Sequence, residues 1–274
     1  MPAADSLASP TLAELVPMLR AAGCVFAEDE AQLLLEEASS PAELFEWVER
    51  RVSGEPLEYI VGWAEFCGLR VTVDPGVFVP RRRTELLVSE AASLLRDSLT
   101  PPGPLASAIV VDLCCGSGAV GVGVAAQVSV RELHAADIDP AAVECARRNL
   151  LPLGGYVHQG DLYAALPTRL KRQVQLIVAN APYVPTSVLP TMPPEVRIYE
   201  RQISLDGGPD GLDLHRRVIE KATEWLDPSG HLVIETSEHQ AAGTAAIMVA
   251  AGLGARTVHS DELDGTVVVG TARA

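Results

Sequence analysis

The 274-residue chain sets 36 acidic residues against 21 basic ones, a formal net charge of −15, and is 48% hydrophobic but only 4% aromatic. That length holds one large domain, or a standard domain with a small one attached, around a core of Leu, Val and Ala. The acidity repels phosphate and argues against broad duplex binding or a stable nucleic-acid partner, and no apolar run reaches the ~18 residues that a membrane span needs. The opening Met1-Pro2-Ala3-Ala4-Asp5 has neither a basic region nor an apolar core, so no secretory signal is read and the expected location is cytoplasmic. Five cysteines (Cys24, Cys67, Cys114, Cys115 and Cys145) show no C-x-x-C spacing and read as reduced thiols. The six histidines show no ligand spacing either, so no metal is expected.

In chain order, Leu12, Leu15, Val16 and Leu19 recur at helical spacing, as do Leu33, Leu34, Leu44, Val48 and Val52. Ser40-Pro41 followed by Glu43 marks a helix start. Residues 1–55 therefore read as a small helical domain. From Tyr59 to Val73 the chain turns aromatic and β-branched. Leu69, Val71 and Val73 alternate before the turn signal Asp74-Pro75-Gly76, which predicts a β-hairpin linking the two parts over 56–80. A helix follows from Thr84, read as its cap, to Leu95. The stretch from Leu99 to Ser107, with Pro101-Pro102-Gly103-Pro104, reads as loop.

From Ile109 short apolar strands alternate with helices. Strands are predicted at 109–112, 132–136, 155–159, 175–179, 231–235, 256–259 and 266–271, and helices at 118–126, 140–150, 213–225 and 238–251. The pattern implies an α/β fold, a mostly parallel sheet covered on both faces, within a unit spanning 81–274. The last two strands, joined through Asp261 to Gly265, read as an antiparallel pair.

Val110-Val111-Asp112-Leu113-Cys114-Cys115-Gly116-Ser117-Gly118 is a strand entering a tight glycine turn and then a helix. Gly116 and Gly118 carry no Cβ, so the backbone turns sharply and can approach a ligand at the carboxyl end of the sheet. Such a turn also fits a purely structural role. Asp137 ends the next strand, 19 residues on (137 − 118), where an acid can accept both hydroxyls of a ribose, with Ile138 beside it. Asp161, after Gly160, would face an adenine edge, with Leu162 packed on the ring. Either acid could instead cap a helix, but a turn and two acids at three strand ends in register favour a cofactor. Cys114 stands where a dinucleotide fingerprint has its first glycine and no G-x-G-x-x-G follows, so a nicotinamide cofactor is disfavoured.

Asn180-Ala181-Pro182-Tyr183 follows the fourth strand directly and resembles the N-P-P-Y motif of methyltransferases acting on planar amino or amide nitrogens. An amide nitrogen is a poor nucleophile because its lone pair is delocalised. The Asn180 side-chain oxygen and the Ala181 carbonyl can accept its two N–H bonds and raise electron density as the N–C bond forms. Pro182 biases Ala181 towards an extended conformation, and Tyr183 can stack on the flat acceptor.

With these residues in place, the chain resembles the protein-(glutamine-N5) methyltransferases (PrmC or HemK) that modify the Gly-Gly-Gln loop of peptide-chain release factors. The likeness includes Gly54-Glu55-Pro56-Leu57-Glu58-Tyr59-Ile60, Phe78-Val79-Pro80-Arg81 and Thr84-Glu85. It continues through Asp112 to Gly118, Asn180 to Tyr183, and Leu205-Asp206-Gly207-Gly208-Pro209-Asp210-Gly211. The resemblance implies S-adenosyl-L-methionine as cofactor and a Rossmann-like class I methyltransferase sheet of seven strands. It also implies a small N-terminal helical domain, joined by the hairpin, that holds a protein substrate.

The chain departs from the family at three places. Ala181 replaces the first motif proline, Arg82-Arg83 replace Pro-Asp/Glu before Thr84, and Glu235-Thr236-Ser237 lacks the usual glycine. These changes resemble an actinobacterial-type paralogue group and leave the acceptor open. Arg81 to Arg83 fit either an anionic group or a solvated basic run, while Arg147-Arg148 and Arg216-Arg217 read as surface charge. Three other readings stay open: a nucleobase amino methyltransferase, a small-molecule N-methyltransferase and a cofactor-binding protein without catalysis.

Overall fold

The computed structural model describes residues 10–98 and 108–273. The first residues of the chain and the loop expected at 99–107 lie outside the described residues. Three helices come first, α1 (Leu12–Ala21), α2 (Ala27–Glu37) and α3 (Pro41–Val52). Their apolar stripes, among them Leu15, Leu19, Leu34, Leu44 and Val48, meet in one core. Ser40 caps α3 as expected: its hydroxyl accepts the Glu43 N–H at 3.2 Å, with Pro41 in the first turn.

The hairpin is shorter than the sequence suggested. Leu57–Val61 forms a helix, α4, ended by Gly62 at φ 82°, and only then do β1 (Trp63–Phe66) and β2 (Leu69–Thr72) pair antiparallel. The reason is that Tyr59 and Ile60 are neighbours and both buried, which a strand with one wet face cannot provide. Ile60 joins the helical core, while Tyr59 packs with Val73 and Val79 and donates its hydroxyl to the Val77 carbonyl at 2.7 Å. The expected alternation holds further on, where Val71 and Val73 are buried and Arg70 is exposed.

A short 3-10 turn, Arg82–Thr84, then leads into α5 (Glu85–Ser98). The rest alternates as predicted: β3 (Ile109–Leu113), α6 (Ala119–Gln127), β4 (Glu132–Asp137), α7 (Pro140–Leu150), β5 (Tyr156–Gln159), β6 (Val174–Ala179), α8 (Pro194–Tyr199), α9 (Asp213–Trp225), β7 (Leu226–Thr236), α10 (Glu238–Ala250), β8 (Gly254–Ser260) and β9 (Gly265–Thr271). The short α8 is absent from the sequence reading.

These seven strands form one sheet in the order β5-β4-β3-β6-β7-β9-β8. β3 to β7 run parallel, and β9 is antiparallel to both β7 and β8. Alternation along β3 divides the core. Val110 packs with Leu87, Val88 and Leu95 of α5 and Val124 of α6 on one face. Ile109, Val111 and Leu113 pack with Val218 and Ile219 of α9 and Met248 of α10 on the other. The chain runs outward from β3 through β4 to β5, then returns to β6 on the other side of β3. The resulting switch point leaves a crevice at the carboxyl ends of β3 and β6, where open α/β sheets bind ligands. Among the described residues no helix is long and apolar enough to cross a membrane. All five cysteines are free thiols, with Cys24, Cys115 and Cys145 buried.

Candidate active site

A cavity of about 1030 Å³ opens at this switch point. Every residue singled out from the sequence as a candidate, from Asp112, Cys114, Cys115, Gly116 and Ser117 to Asp137, Ile138, Asp161, Leu162 and Asn180 to Tyr183, lines it except Gly118. Gly118 acts from behind. It sits at φ 79° at the start of α6, and a Cβ there would lie 2.9 Å from Leu150 Cδ1.

The turn after β3 contains three left-handed residues, Cys114 (φ 56°), Gly116 (φ 54°) and Gly118. Cys114 is thus a non-glycine residue in a conformation that glycine adopts more easily. The turn is held from three sides. Cys115 N–H donates to the Ala136 carbonyl at 3.2 Å, Gly116 N–H donates to Asp137 Oδ2 at 2.9 Å, and Asn149 Nδ2 donates to the Ser117 carbonyl at 2.8 Å. Asn149 also exchanges hydrogen bonds with both backbone groups of Thr72, so α7 ties the turn to the hairpin. Sequence reading gave no role to Asn149, because its partners are remote in the chain.

Asp112 is fully buried. Its Oδ2 accepts the Gly121 N–H at 3.0 Å and braces α6, while Oδ1 has no hydrogen-bond partner. Burial pushes its carboxyl up to about 7, against the Gly121 hydrogen bond and with help from the nearby Asp137 charge. Asp137 also accepts the Asp139 N–H at 2.9 Å on Oδ1. Burial raises its pKa, and the two backbone donors oppose the rise. Asp161 is exposed and paired with Arg217 at 2.6 Å. Arg217 therefore belongs to the cavity wall, not to the plain surface charge that its helix position suggested. Arg216 pairs instead with Asp210 and Asp213, Arg147 with Glu144, and Arg148 with Asp74.

At the end of β6, Asn180 Nδ2 donates to Thr84 Oγ1 at 3.4 Å, and its amide oxygen takes no hydrogen bond from the described residues. Thr84 does not act as the simple helix cap expected of it: it ends the 3-10 turn, is buried, and turns its hydroxyl to Asn180. Ala181 is buried. Tyr183 donates its hydroxyl to Glu235 Oε1 at 3.2 Å, and its ring lies tilted 6.4 Å from that of His215. The Tyr183 carbonyl accepts Gln240 Nε2 at 2.9 Å. Burial raises the pKa of both Tyr183 and Glu235. Burial also holds His215 down at about 4, with its Nδ1 on Thr244 Oγ1 and Nε2 without a partner.

The segment Leu205–Gly211 packs against the backbone of this cluster. A Cβ on Gly207 would lie 2.7 Å from Tyr183 Cα and 2.8 Å from Pro182 O, and one on Gly211 2.3 Å from Tyr183 O. Only residues without a side chain allow that approach. The three arginines before α5 separate in role. Arg81 lies 5.4 Å over the Phe78 ring and is paired with the buried Glu200. Arg82 reaches the exposed Glu262 at 4.0 Å. Arg83 lines the cavity and has no ion pair among the described residues. Glu200, Glu235, His215 and Gln240 were not identified as site residues from the sequence. The available signal for Glu235 was an acid closing the apolar run Leu232-Val233-Ile234.

Comparison with known proteins finds related chains. The methyltransferase small domain family matches residues 68–190. A release factor glutamine methyltransferase of Geobacter sulfurreducens is 41% identical over 196 residues, 71% of this chain and 65% of that protein, just under two thirds of its length. One from Streptomyces coelicolor is 37% identical over 74% of this chain and 70% of its own length. A 4-amino-L-phenylalanine/4-methylamino-L-phenylalanine methyltransferase of Streptomyces pristinaespiralis is also 37% identical, over 77% of this chain and 71% of that protein. Among solved structures, a methyltransferase from Pyrococcus furiosus shares the fold at a TM-score of 0.54 and 13% identity, covering 76% of this chain and 90% of that one. The seven-stranded sheet is therefore that of the class I methyltransferases, whose cofactor is S-adenosyl-L-methionine, and the chain belongs to the release factor glutamine methyltransferase family.

Proposed function

We propose that this protein transfers a methyl group from S-adenosyl-L-methionine to the N5 nitrogen of a protein glutamine, and that the acceptor is the Gly-Gly-Gln glutamine of a peptide-chain release factor. The observation that carries this reading is Asn180. Its amide nitrogen is engaged by Thr84, which leaves its amide oxygen available in the cavity beside the glycine turn.

The residues present fit the cofactor. Gly116 and Gly118 clear the backbone, and the Asp112 Oδ1 is a buried acceptor without a partner. Asp137 keeps lone pairs beyond its two backbone hydrogen bonds. In this reading Asp137, with Ile138 beside it, takes the ribose hydroxyls. Asp161 and Leu162 take the adenine edge, and the turn from Cys114 to Gly118 takes the methionine part. When bound, S-adenosyl-L-methionine supplies a methyl group on a sulfonium, an electrophile that needs no metal.

The chain's own residues prepare the nucleophile. Asn180 Oδ1 and the Ala181 carbonyl accept the two N–H bonds of the acceptor amide, which orients the lone pair for an in-line approach. The same two acceptors stabilise positive charge as it develops on nitrogen. Once that charge has formed, one N–H proton is lost readily and no strong base is required. Pro182 and Tyr183 shape the slot. Residues 1–55 serve as the recognition domain for the protein acceptor, the stretch 56–80 is the linker, and 81–274 form the catalytic domain. The acidic charge and the free thiols support a cytoplasmic protein acceptor over nucleic acid.

A second reading is favoured by one finding, the similarity to the Streptomyces pristinaespiralis enzyme, whose name specifies a small arylamine. A planar aniline nitrogen presents the same two N–H bonds to Asn180 and Ala181. The test is methyl transfer from labelled S-adenosyl-L-methionine to purified release factor, to release factor with its Gly-Gly-Gln glutamine replaced, and to 4-amino-L-phenylalanine. Labelling that depends on the glutamine is the expected result. Labelling of the small amine alone would move the assignment to the second reading.

A further inference from the structure

Three arginines line the cavity, against nine acids and no lysine. Two of the three are engaged, Arg81 by the buried Glu200 and Arg217 by Asp161. Arg83 is exposed, and its side chain forms no ion pair or hydrogen bond among the described residues. Its neighbour Thr84 accepts from Asn180 Nδ2 at 3.4 Å. Asn180 in turn follows β6, which pairs with β3 so that Ala179 lies opposite Leu113. Arg83 therefore enters the cavity at the end where Asn180 and the glycine turn meet. The turn has few donors left for an anion there. Cys115 N–H is engaged by the Ala136 carbonyl, Gly116 N–H by Asp137 and Gly118 N–H by the Cys115 carbonyl.

We infer that Arg83 binds the carboxylate of the methionine part of S-adenosyl-L-methionine. The cofactor carries one carboxylate, joined to its sulfonium by a short aliphatic chain. A methyl group presented to Asn180 therefore brings that carboxylate to the same end of the cavity. The acids that dominate the lining can take the ammonium and the ribose hydroxyls, but they repel a further anion. A guanidinium offers two parallel N–H donors that match the two carboxylate oxygens, and its charge is permanent. The acceptor proposed above is no rival source, because a glutamine inside a peptide chain carries no carboxylate. Arg83 also stands at one of the chain's departures from its family, so this contact is a feature of the chain itself.

The inference rests on the reading that S-adenosyl-L-methionine occupies this cavity in the way proposed above, and not on the choice of acceptor. Its test is calorimetric titration of the full-length protein with S-adenosyl-L-methionine and with its decarboxylated form, which keeps the ammonium and the sulfonium. Arg83→Ala should weaken binding of S-adenosyl-L-methionine by about tenfold and of the decarboxylated form by less than about twofold. Wild type should therefore prefer the intact cofactor, and Arg83→Ala should lose most of that preference. Arg83→Lys keeps the charge without the paired donors and should recover part of the loss. Arg82→Ala is the control, since Arg82 reaches Glu262 and does not line the cavity; both affinities should stay at wild type. Thermal melting checks that each variant is folded. Equal losses for the two ligands in Arg83→Ala, or a loss of the same size in Arg82→Ala, would show a diffuse charge effect and overturn the inference. An unchanged cofactor Kd in Arg83→Ala would overturn it too, and a rise in acceptor KM alone would assign Arg83 to the acceptor instead. If wild type binds neither ligand, the cofactor reading fails first, and that outcome is distinct from a loss confined to the Arg83 variants.

Discussion

Asp137 Oδ2 accepts the Gly116 N–H at 2.9 Å, so the acid that ends β4 holds the glycine turn that ends β3. The same carboxylate accepts the Asp139 N–H at the start of α7. One residue thus shapes the turn and presents its remaining lone pairs to the cavity. Asp137→Ala removes both functions. Cofactor affinity should fall at least about tenfold, and stability by about 1–3 kcal/mol from the buried donors left unpaired. Calorimetric titration with S-adenosyl-L-methionine and urea unfolding measure the two effects, and unchanged affinity would remove Asp137 from the cofactor site.

Asn180→Ala separates chemistry from cofactor binding. Loss of one of the two acceptors on the nitrogen should lower kcat by about 100- to 1,000-fold. Cofactor affinity should stay close to wild type, since the turn and Asp137 are untouched. Steady-state labelling with parallel cofactor titration checks this, and a large loss of cofactor affinity would count against the acceptor role.

Gly211→Ala places a methyl group 2.3 Å from the Tyr183 carbonyl, at a φ of +76° that side-chain-bearing residues rarely adopt. The strain and the collision together should cost about 2 kcal/mol or more. They should also displace Gln240 from the Tyr183 carbonyl, so turnover should drop along with the melting temperature. Normal turnover would show that the contact does not shape the acceptor slot.

His215 gives a pH-dependent signature. Burial depresses its folded pKa to about 4, below the ordinary value near 6.5. Its contribution is therefore complete above about pH 6.5 and is lost as pH falls towards 4, because the unfolded state binds the extra proton. Asp112, Asp137, Glu200 and Glu235 have raised pKa values and act with the opposite sign, so the total slope is not the useful quantity. The difference between wild type and His215→Asn isolates the histidine. The destabilisation caused by His215→Asn should shrink by about 2 kcal/mol between pH 7 and pH 5, read from urea unfolding at the two pH values. A difference that does not change with pH would mean that His215 is not held neutral.

The sequence by itself determined what depends on neighbours along the chain. The helix start at Ser40-Pro41, the strand-turn-helix from Val110 to Gly118, and the closing pair β8 and β9 follow from apolar period, cap residues and glycine. Spacing also sufficed to bring Asp137 and Asn180 to the same edge, because parallel strands in one sheet end on the same side. Tertiary structure decided the rest. Leu57–Val61 became helix because two adjacent side chains had separate cores to enter. Thr84, Glu235, His215 and Gln240 joined the site, and Arg217 reached Asp161, through partners 29 to 96 positions away along the chain (244 − 215 and 180 − 84). A buried carboxylate or histidine carries no periodic signal of its own. Its role is set by which donors and acceptors the packed sheet ends bring within about 3 Å of it, and that distance exists only once the strands have paired.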